Sequence, residues 1–210
     1  MTIGDMRHRA LLVDFDGVLR HWPDNDHAIE REHGLEAGAI RRVAFDPDLL
    51  ARVVSGGLSD TAWRKAIVDR LSGDYSDANV QVAVEQWSRP VGVLDEDVLA
   101  LLIRARRRVR VVLVTNASTR LDADLRALRL DNTFYAVVNS SQVGVAKPDP
   151  AFFEVALSQA GVAAERALYV DDAITNVAVA RELGITSKVH DDAESLHAFL
   201  LEHGALVIEP

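Results

Sequence analysis

Short runs of consecutive apolar residues alternate along this chain with stretches whose apolar positions recur every three or four residues. The runs lie at 10–13, 109–114, 135–138, 167–170 and, more weakly, 187–189. Continuous apolar runs of this length suit strands covered on both faces, as in a parallel sheet. The intervening stretches carry helix signals. Asp95 caps a helix predicted through 107, with Val98, Leu99, Leu102 and Ile103 on one face. A second helix is predicted at 121–128. A third starts at Pro150, after Asp149, and closes at Gly161. Further helices are predicted at 175–183, ended by Gly184, and at 195–201, closing near Gly204. Strand and helix in repeated alternation predict an α/β fold with a doubly wound, Rossmann-like parallel sheet.

Residues 20–89 break the alternation, with helical patterns and no strand. Ser59 or Asp60 caps a segment through 71, in which Trp63, Ile67 and Leu71 recur at a spacing of four. Another helix is predicted at 77–87. Ser55-Gly56-Gly57 reads as a loop, and Pro23 and Pro90 sit near the two ends. The pattern predicts an α-helical cap domain, 20–89, inserted into a core formed by 1–19 and 90–210.

Composition narrows the function. Of 210 residues, 49% are hydrophobic and 26% charged, which excludes wholesale disorder. A net charge of −9 argues against nucleic acid as a partner. The arginine-rich stretch 104–110 closes a predicted helix, where cations complement the helix dipole. There is no cysteine, which rules out disulfides, thiolate metal sites and a cysteine nucleophile. The seven histidines show no metal-ligand spacing. The apolar run at 10–13 is too short for a signal peptide or a membrane span, so the expectation is a cytoplasmic protein with no membrane partner. Oligomeric state is not legible here.

Polar residues collect at the carboxyl ends of the predicted strands, the edge where open α/β sheets bind ligands. Asp14 and Asp16 follow the first strand, Thr115 and Asn116 the second, and Asp171 and Asp172 the fourth. Lys147 lies in the loop after the third, and it is one of only three lysines against twenty arginines. Their chemistry is coherent. Asp14 and Asp172 offer two carboxylates to a hard cation, and Mg²⁺ suits a few oxygen ligands plus phosphate. Asp14 can attack phosphorus to give an aspartyl-phosphate. Asp16 can protonate the leaving oxygen and then take a proton from water. Thr115 can donate to a phosphoryl oxygen, and Lys147 adds positive charge where negative charge develops. Gly17 allows a sharp turn beside the nucleophile.

Asp14-Phe15-Asp16-Gly17-Val18, Val114-Thr115-Asn116, Lys147-Pro148-Asp149 and Val170-Asp171-Asp172 stand in the order of the four motifs of the haloacid dehalogenase-like hydrolase superfamily. The chain resembles the helical-cap branch of that superfamily, which includes phosphoglycolate phosphatase-like and β-phosphoglucomutase-like proteins. The resemblance implies a Mg²⁺-dependent phosphohydrolase acting on a small phosphorylated metabolite. It implies that Asp14 is the nucleophile and Asp16 the general acid and base. It assigns Thr115, Asn116 and Lys147 to substrate. It assigns the metal to the Asp14 carboxylate, the Asp16 main-chain carbonyl and Asp172, with Asp171 and Asn176 behind these ligands. Asp171 stands where the family often has glycine, and Asn176 where many members have an acidic residue.

Other readings stay open at this stage. A phosphomutase has the same core. A 2-haloacid dehalogenase lacks the second motif aspartate, here present as Asp16. A signalling receiver domain places its acidic pair first rather than at the fourth strand. A non-catalytic binder of a phosphorylated ligand would keep the fold without turnover. Arg20, His21 and Trp22 follow Asp14 closely at the entry to the insert. There they either shape a leaving-group pocket or simply pack and face solvent.

Overall fold

The computed structural model describes residues 9–207; the outermost parts of the expected core segments, 1–8 and 208–210, lie outside them. Among the described residues seven strands run β1 Ala10–Val13, β2 Arg20–His21, β3 Val93–Leu94, β4 Arg110–Thr115, β5 Ala136–Asn139, β6 Ala167–Asp171 and β7 Thr186–Val189. Five of them form one parallel sheet in the order β5-β4-β1-β6-β7, so β1 lies at its centre. The other two, β2 and β3, make a short antiparallel ribbon.

Side-chain alternation divides the sheet into two faces. Leu11, Val13, Val111, Leu113, Leu168 and Val170 belong to one apolar cluster. Leu12, Val112, Val114 and Tyr169 belong to a second. Helices α6 Glu96–Ala105, α7 Leu121–Ala127 and α11 Ala193–Glu202 supply Leu102, Leu125 and Leu200 to the first cluster. Helices α9 Pro150–Ala160 and α10 Ile174–Glu182 supply Phe152, Phe153 and Val177 to the second. A sheet covered on both sides has no solvent face, which is why its inner strands β1, β4 and β6 carry runs of apolar residues, while edge strand β7 (Thr186-Ser187-Lys188-Val189) does not. This is the doubly wound α/β core predicted above. Each fully buried Leu, Val or Phe contributes roughly 1.5–3 kcal/mol of transfer free energy.

The helix ends follow local chemistry. Asp95 accepts from the Val98 N–H at 2.9 Å, and Asp149 precedes Pro150 and accepts from the Ala151 N–H. A short helix, α8 Ser140–Val143, follows β5. Beyond the predicted bounds, β4 runs on through Thr115 and β6 through Asp171.

Five helices lie between β2 and β3: α1 Asp26–Glu32, α2 Ala39–Ala44, α3 Pro47–Val54, α4 Asp60–Leu71 and α5 Asp77–Ser88. They enclose an apolar cluster of their own, with Ile40, Leu49, Ile67, Leu71 and Val80 at its centre. α4 and α5 match the sequence pattern, with Ser59 as the cap of α4. The first three are short and were not predicted. α2 carries no cap side chain of its own. Instead the buried Glu30 carboxylate reaches across to accept from the Gly38 and Ile40 N–H groups at 2.6 and 2.9 Å. Among the described residues, no helix is long and apolar enough to cross a membrane.

Candidate active site

Register brings the acidic residues together. β1 pairs with β6 so that Val13 faces Val170, and the Asp14 N–H donates to the Val170 carbonyl at 2.9 Å. The next residue on each strand, Asp14 and Asp171, therefore meet at the carboxyl edge. By alternation both lie on the Tyr169 side of the sheet, the side that α9 covers. The loop before α9 delivers Lys147 to the same point. Its Nζ lies 2.7 Å from Asp14 Oδ1 and 2.6 Å from Asp171 Oδ2. Lys147 is held by its backbone as well. The Asn116 amide donates to the Lys147 carbonyl and its oxygen accepts from the Lys147 N–H, both at 2.8 Å. Asn116 thus engages Lys147 with both ends of its side chain.

Asp171 is completely buried, and both its oxygens are engaged. Oδ2 accepts from Lys147 and from the Tyr169 hydroxyl. Oδ1 accepts from the Ala173 N–H at 2.8 Å and from Asn176 at 3.0 Å. Burial alone would raise its carboxyl. The Lys147 charge and hydrogen bond, then Tyr169 and the Ala173 N–H, overcome this and hold it below the ordinary value. Asp14 has less support. Burial pushes its carboxyl up to about 8 against the pull of Lys147, and the Asp171 charge pushes the same way. Lys147 loses to burial but gains more from Asp14 and Asp171, and stays charged. The Tyr169 phenol, buried against Asp171, is held well above its usual range and remains a donor.

Asp172 is exposed and faces Gly17. A Cβ on Gly17 would come within 2.2 Å of Asp172 Oδ2, and Gly17 has φ +83°. Glycine therefore meets two demands there, a left-handed backbone and room for a carboxylate. One carboxylate oxygen each from Asp14, Asp171 and Asp172 lies within 4.8 Å of the others. Since Asp171 is saturated, Asp14 and Asp172 are the pair with capacity for a cation. Although its side chain reaches solvent, the Asp172 carboxyl is itself raised, by partial desolvation and then by the Asp171 charge, so a cation between these carboxylates would relieve repulsion.

Asp16 sits to one side, toward the helical insert. Arg20 grips it as a fork, Nε to Oδ1 at 2.7 Å and Nη2 to Oδ2 at 2.9 Å, and the Trp22 indole N–H donates to Oδ1 at 2.9 Å. Arg20 is buried between the rings of Phe15 and Trp22, its Cζ 4.1 and 4.4 Å from their centroids. Gly92 leaves room for its stem, since a Cβ there would lie 2.6 Å from Arg20 Cγ. The fork continues to Asp124 at 3.0 Å. Asp124 also pairs with Arg120 at 2.7 Å, and Arg120 donates to the Ser88 and Pro90 carbonyls at the end of the insert. Thr115 is buried at the end of β4. His21 is exposed, its Nε2 3.8 Å from an Asp95 carboxylate oxygen. The structure thus gathers Asp14, Lys147, Asp171, Asp172 and Asn176 at one edge, with Asp16 beside them. Arg20, Trp22, Tyr169 and Asp124 complete the arrangement. The sequence left the first two ambiguous and gave no sign of the others.

The site is thus an aspartate just past β1, salt-bridged to a lysine and facing an acidic pair at the end of β6. The haloacid dehalogenase-like hydrolase family matches residues 8–184, and the chain belongs to that family. It is 28% identical over 156 residues to haloacid dehalogenase-like hydrolase domain-containing protein 3 of Xenopus laevis, covering 74% of this chain and 60% of that one. The Mus musculus protein of the same description is 33% identical over 129 residues, covering 57% of this chain and 51% of that one. The chain therefore spans 60% and 51% of these relatives' lengths. Among solved structures, a HAD family enzyme of Bacteroides thetaiotaomicron in complex with magnesium superposes with a TM-score of 0.71 at 22% identity, over 90% of this chain and 97% of that one. L-2-haloacid dehalogenase of Xanthobacter autotrophicus superposes at 0.61 and 19% identity, over 96% and 84%. These superpositions show the fold.

Proposed function

We propose that this chain is a Mg²⁺-dependent phosphohydrolase that cleaves a small phosphomonoester through an aspartyl-phosphate on Asp14. The observation that carries the reading is Asp14 itself. It is a buried carboxylate held by Lys147 at 2.7 Å, next to Asp172, with a second aspartate two residues on facing the insert. The structure of the Bacteroides enzyme in complex with magnesium and inorganic phosphate supports the reading by analogy. A metal on Asp14, the Asp16 carbonyl and Asp172 would neutralise the repulsion between carboxylate and phosphate dianion.

Under this proposal the chain's own residues divide the work. Asp14 attacks phosphorus in line with the leaving oxygen. Lys147 and the Thr115 hydroxyl hold phosphoryl oxygens as charge spreads over them. Asn116 keeps Lys147 in place, and Asp171 keeps its ammonium aimed at the edge. Asp16 gives a proton to the leaving alcohol and then removes one from the water that releases phosphate. The insert, 20–89, acts as a cap that excludes bulk water and contacts the leaving group. The assay that tests the proposal measures phosphate release from a phosphomonoester panel with Mg²⁺, with EDTA, and with Asp172→Ala. Release that requires Mg²⁺, and needs far more of it in the variant, is the expected result. Equal release in EDTA would overturn the metal assignment. Return of phosphate to a bound sugar rather than to water would make the chain a phosphomutase.

Arg20 has a positioning role in this scheme, because it fixes both oxygens of Asp16. Arg20→Met is expected to lower kcat on alkyl phosphates about 10- to 100-fold. Acetyl phosphate, whose leaving group needs no proton, should lose less than about threefold. An equal loss on both would show that Arg20 only supports the fold.

A further inference from the structure

We infer that the alcohol released by this enzyme is uncharged and apolar, with an aromatic ring as the form that fits best. The inference rests on the phosphohydrolase reading above and names its substrate class. Between the helical insert and the core lies a cavity of about 370 Å³ that Asp16 and Asn116 help to line. Its size suits a small organic group. Phe45, Trp63 and Trp87 form one wall, packed edge to face with centroids 5.8–6.3 Å apart. Leu50, Val53 and Leu121 extend the apolar surface. Among the described residues, the only exposed Phe and Trp side chains are Phe45, at 43%, and Trp22, at 47%, and both line this cavity. Large apolar side chains left open at one concave place mark a surface kept for an apolar ligand.

The charges in the wall lead to the same conclusion. Arg20 is paired with Asp16 and Asp124, Arg120 with Asp124, and Arg41 with Asp26 at 3.1 Å. Asp60 is paired with Arg64 at 2.6 Å. Every arginine of the wall already faces a carboxylate, so a second phosphate or a substrate carboxylate would have to displace one. A sugar fares no better. The Trp63 N–H donates to the Ala44 carbonyl and the Trp22 N–H to Asp16. The Ser118 hydroxyl donates to Asp60, and the Asn116 amide is engaged with Lys147. A ring of hydroxyls pressed against the aromatic wall would lose water there, and would be left to the Asn25 amide and the remaining lone pairs of carboxylates already paired with arginine.

The test compares benzyl phosphate with glucose 6-phosphate, whose alcohols are close in acidity, and adds phosphocholine and acetyl phosphate. Acetyl phosphate reports the catalytic edge without asking anything of the cavity. The expected result is a kcat/KM for benzyl phosphate at least about 30-fold above that for glucose 6-phosphate or phosphocholine. Trp87→Leu should lower the ratio of benzyl phosphate to acetyl phosphate turnover about tenfold. Titration of the tryptophan fluorescence should give the same order of binding without turnover. Equal or better use of glucose 6-phosphate or phosphocholine, or an unchanged ratio in Trp87→Leu, would overturn the inference. Failure to turn over acetyl phosphate would instead overturn the phosphohydrolase reading, and the fluorescence order would then decide the cavity's preference alone.

Discussion

Asp14→Asn is expected to lower phosphate release by at least about 10⁴-fold while leaving the protein folded. The amide has the shape of the carboxylate but cannot form the phosphoryl bond. Its effect on folding should be small, for a physical reason visible in the site. Asp14 lies against the Asp171 charge, and burial already pushes its carboxyl up to about 8. A neutral group there removes one side of a like-charge contact. Lys147 keeps its second partner, Asp171, at 2.6 Å. A thermal melt without divalent cation should therefore match the wild type or exceed it. Circular dichroism and melting measured beside the assay separate a lost nucleophile from a lost fold. Retention of a tenth of the activity or more would remove Asp14 from the nucleophile's role.

Lys147→Met should damage both function and stability. The ammonium is buried and stands between two carboxylates at 2.7 and 2.6 Å. Methionine fills similar volume but leaves Asp14 and Asp171 facing each other without a cation. Removing one partner of a buried ion pair typically costs about 3–5 kcal/mol. Asp171 retains its bonds from Tyr169, Ala173 and Asn176, so the low end of that range is expected. Asp14 can escape by taking a proton. A carboxyl whose folded-state pKa lies above its unfolded one stabilises the fold at low pH, and that contribution fades as pH rises through the folded value. The loss measured in EDTA should thus be larger at about pH 8 than at about pH 6. A melt that is insensitive to pH, or a variant as stable as the wild type, would contradict this account of the cluster. Activity should fall at least about 10³-fold, since the phosphoryl oxygens lose a fixed positive charge.

The parts of the fold that were legible share a property. Their signal is local and dense. Dense apolar runs gave four strands of the main sheet and a weaker signal at 187–189 the fifth, and Asp95, Ser59 and the Asp149-Pro150 pair marked helix starts where the structure has them. Asp14, Asp16, Lys147 and Asp172 were legible because each follows a recognisable run, and parallel strands bring such ends to one edge. What stayed hidden depends on contacts through space. The start of α2 is satisfied by Glu30, so no cap shows before it. The ribbon of β2 and β3 has only two residues per strand, below the length at which alternation can be seen. Arg20 joins Asp124 across 104 positions, and no spacing rule announces such a pair. In the sequence Trp63 shows only helical spacing with Ile67 and Leu71. It does pack, yet its ring also forms a cavity wall with Phe45 and Trp87, from two other segments. Tyr169 looked like one more apolar strand residue. Only its hydroxyl, seen against Asp171, gives it a part in the site.

The central claim is covalent catalysis by Asp14, and it can be tested by trapping. Enzyme mixed with Mg²⁺ and acetyl phosphate, quenched in acid within the first turnovers and digested, should yield the peptide carrying Asp14 with one added phosphoryl group. Fragmentation should locate that group on Asp14, and Asp14→Asn should yield none. Phosphate found on another residue, or rapid turnover with no phosphorylated peptide in either protein, would contradict the account.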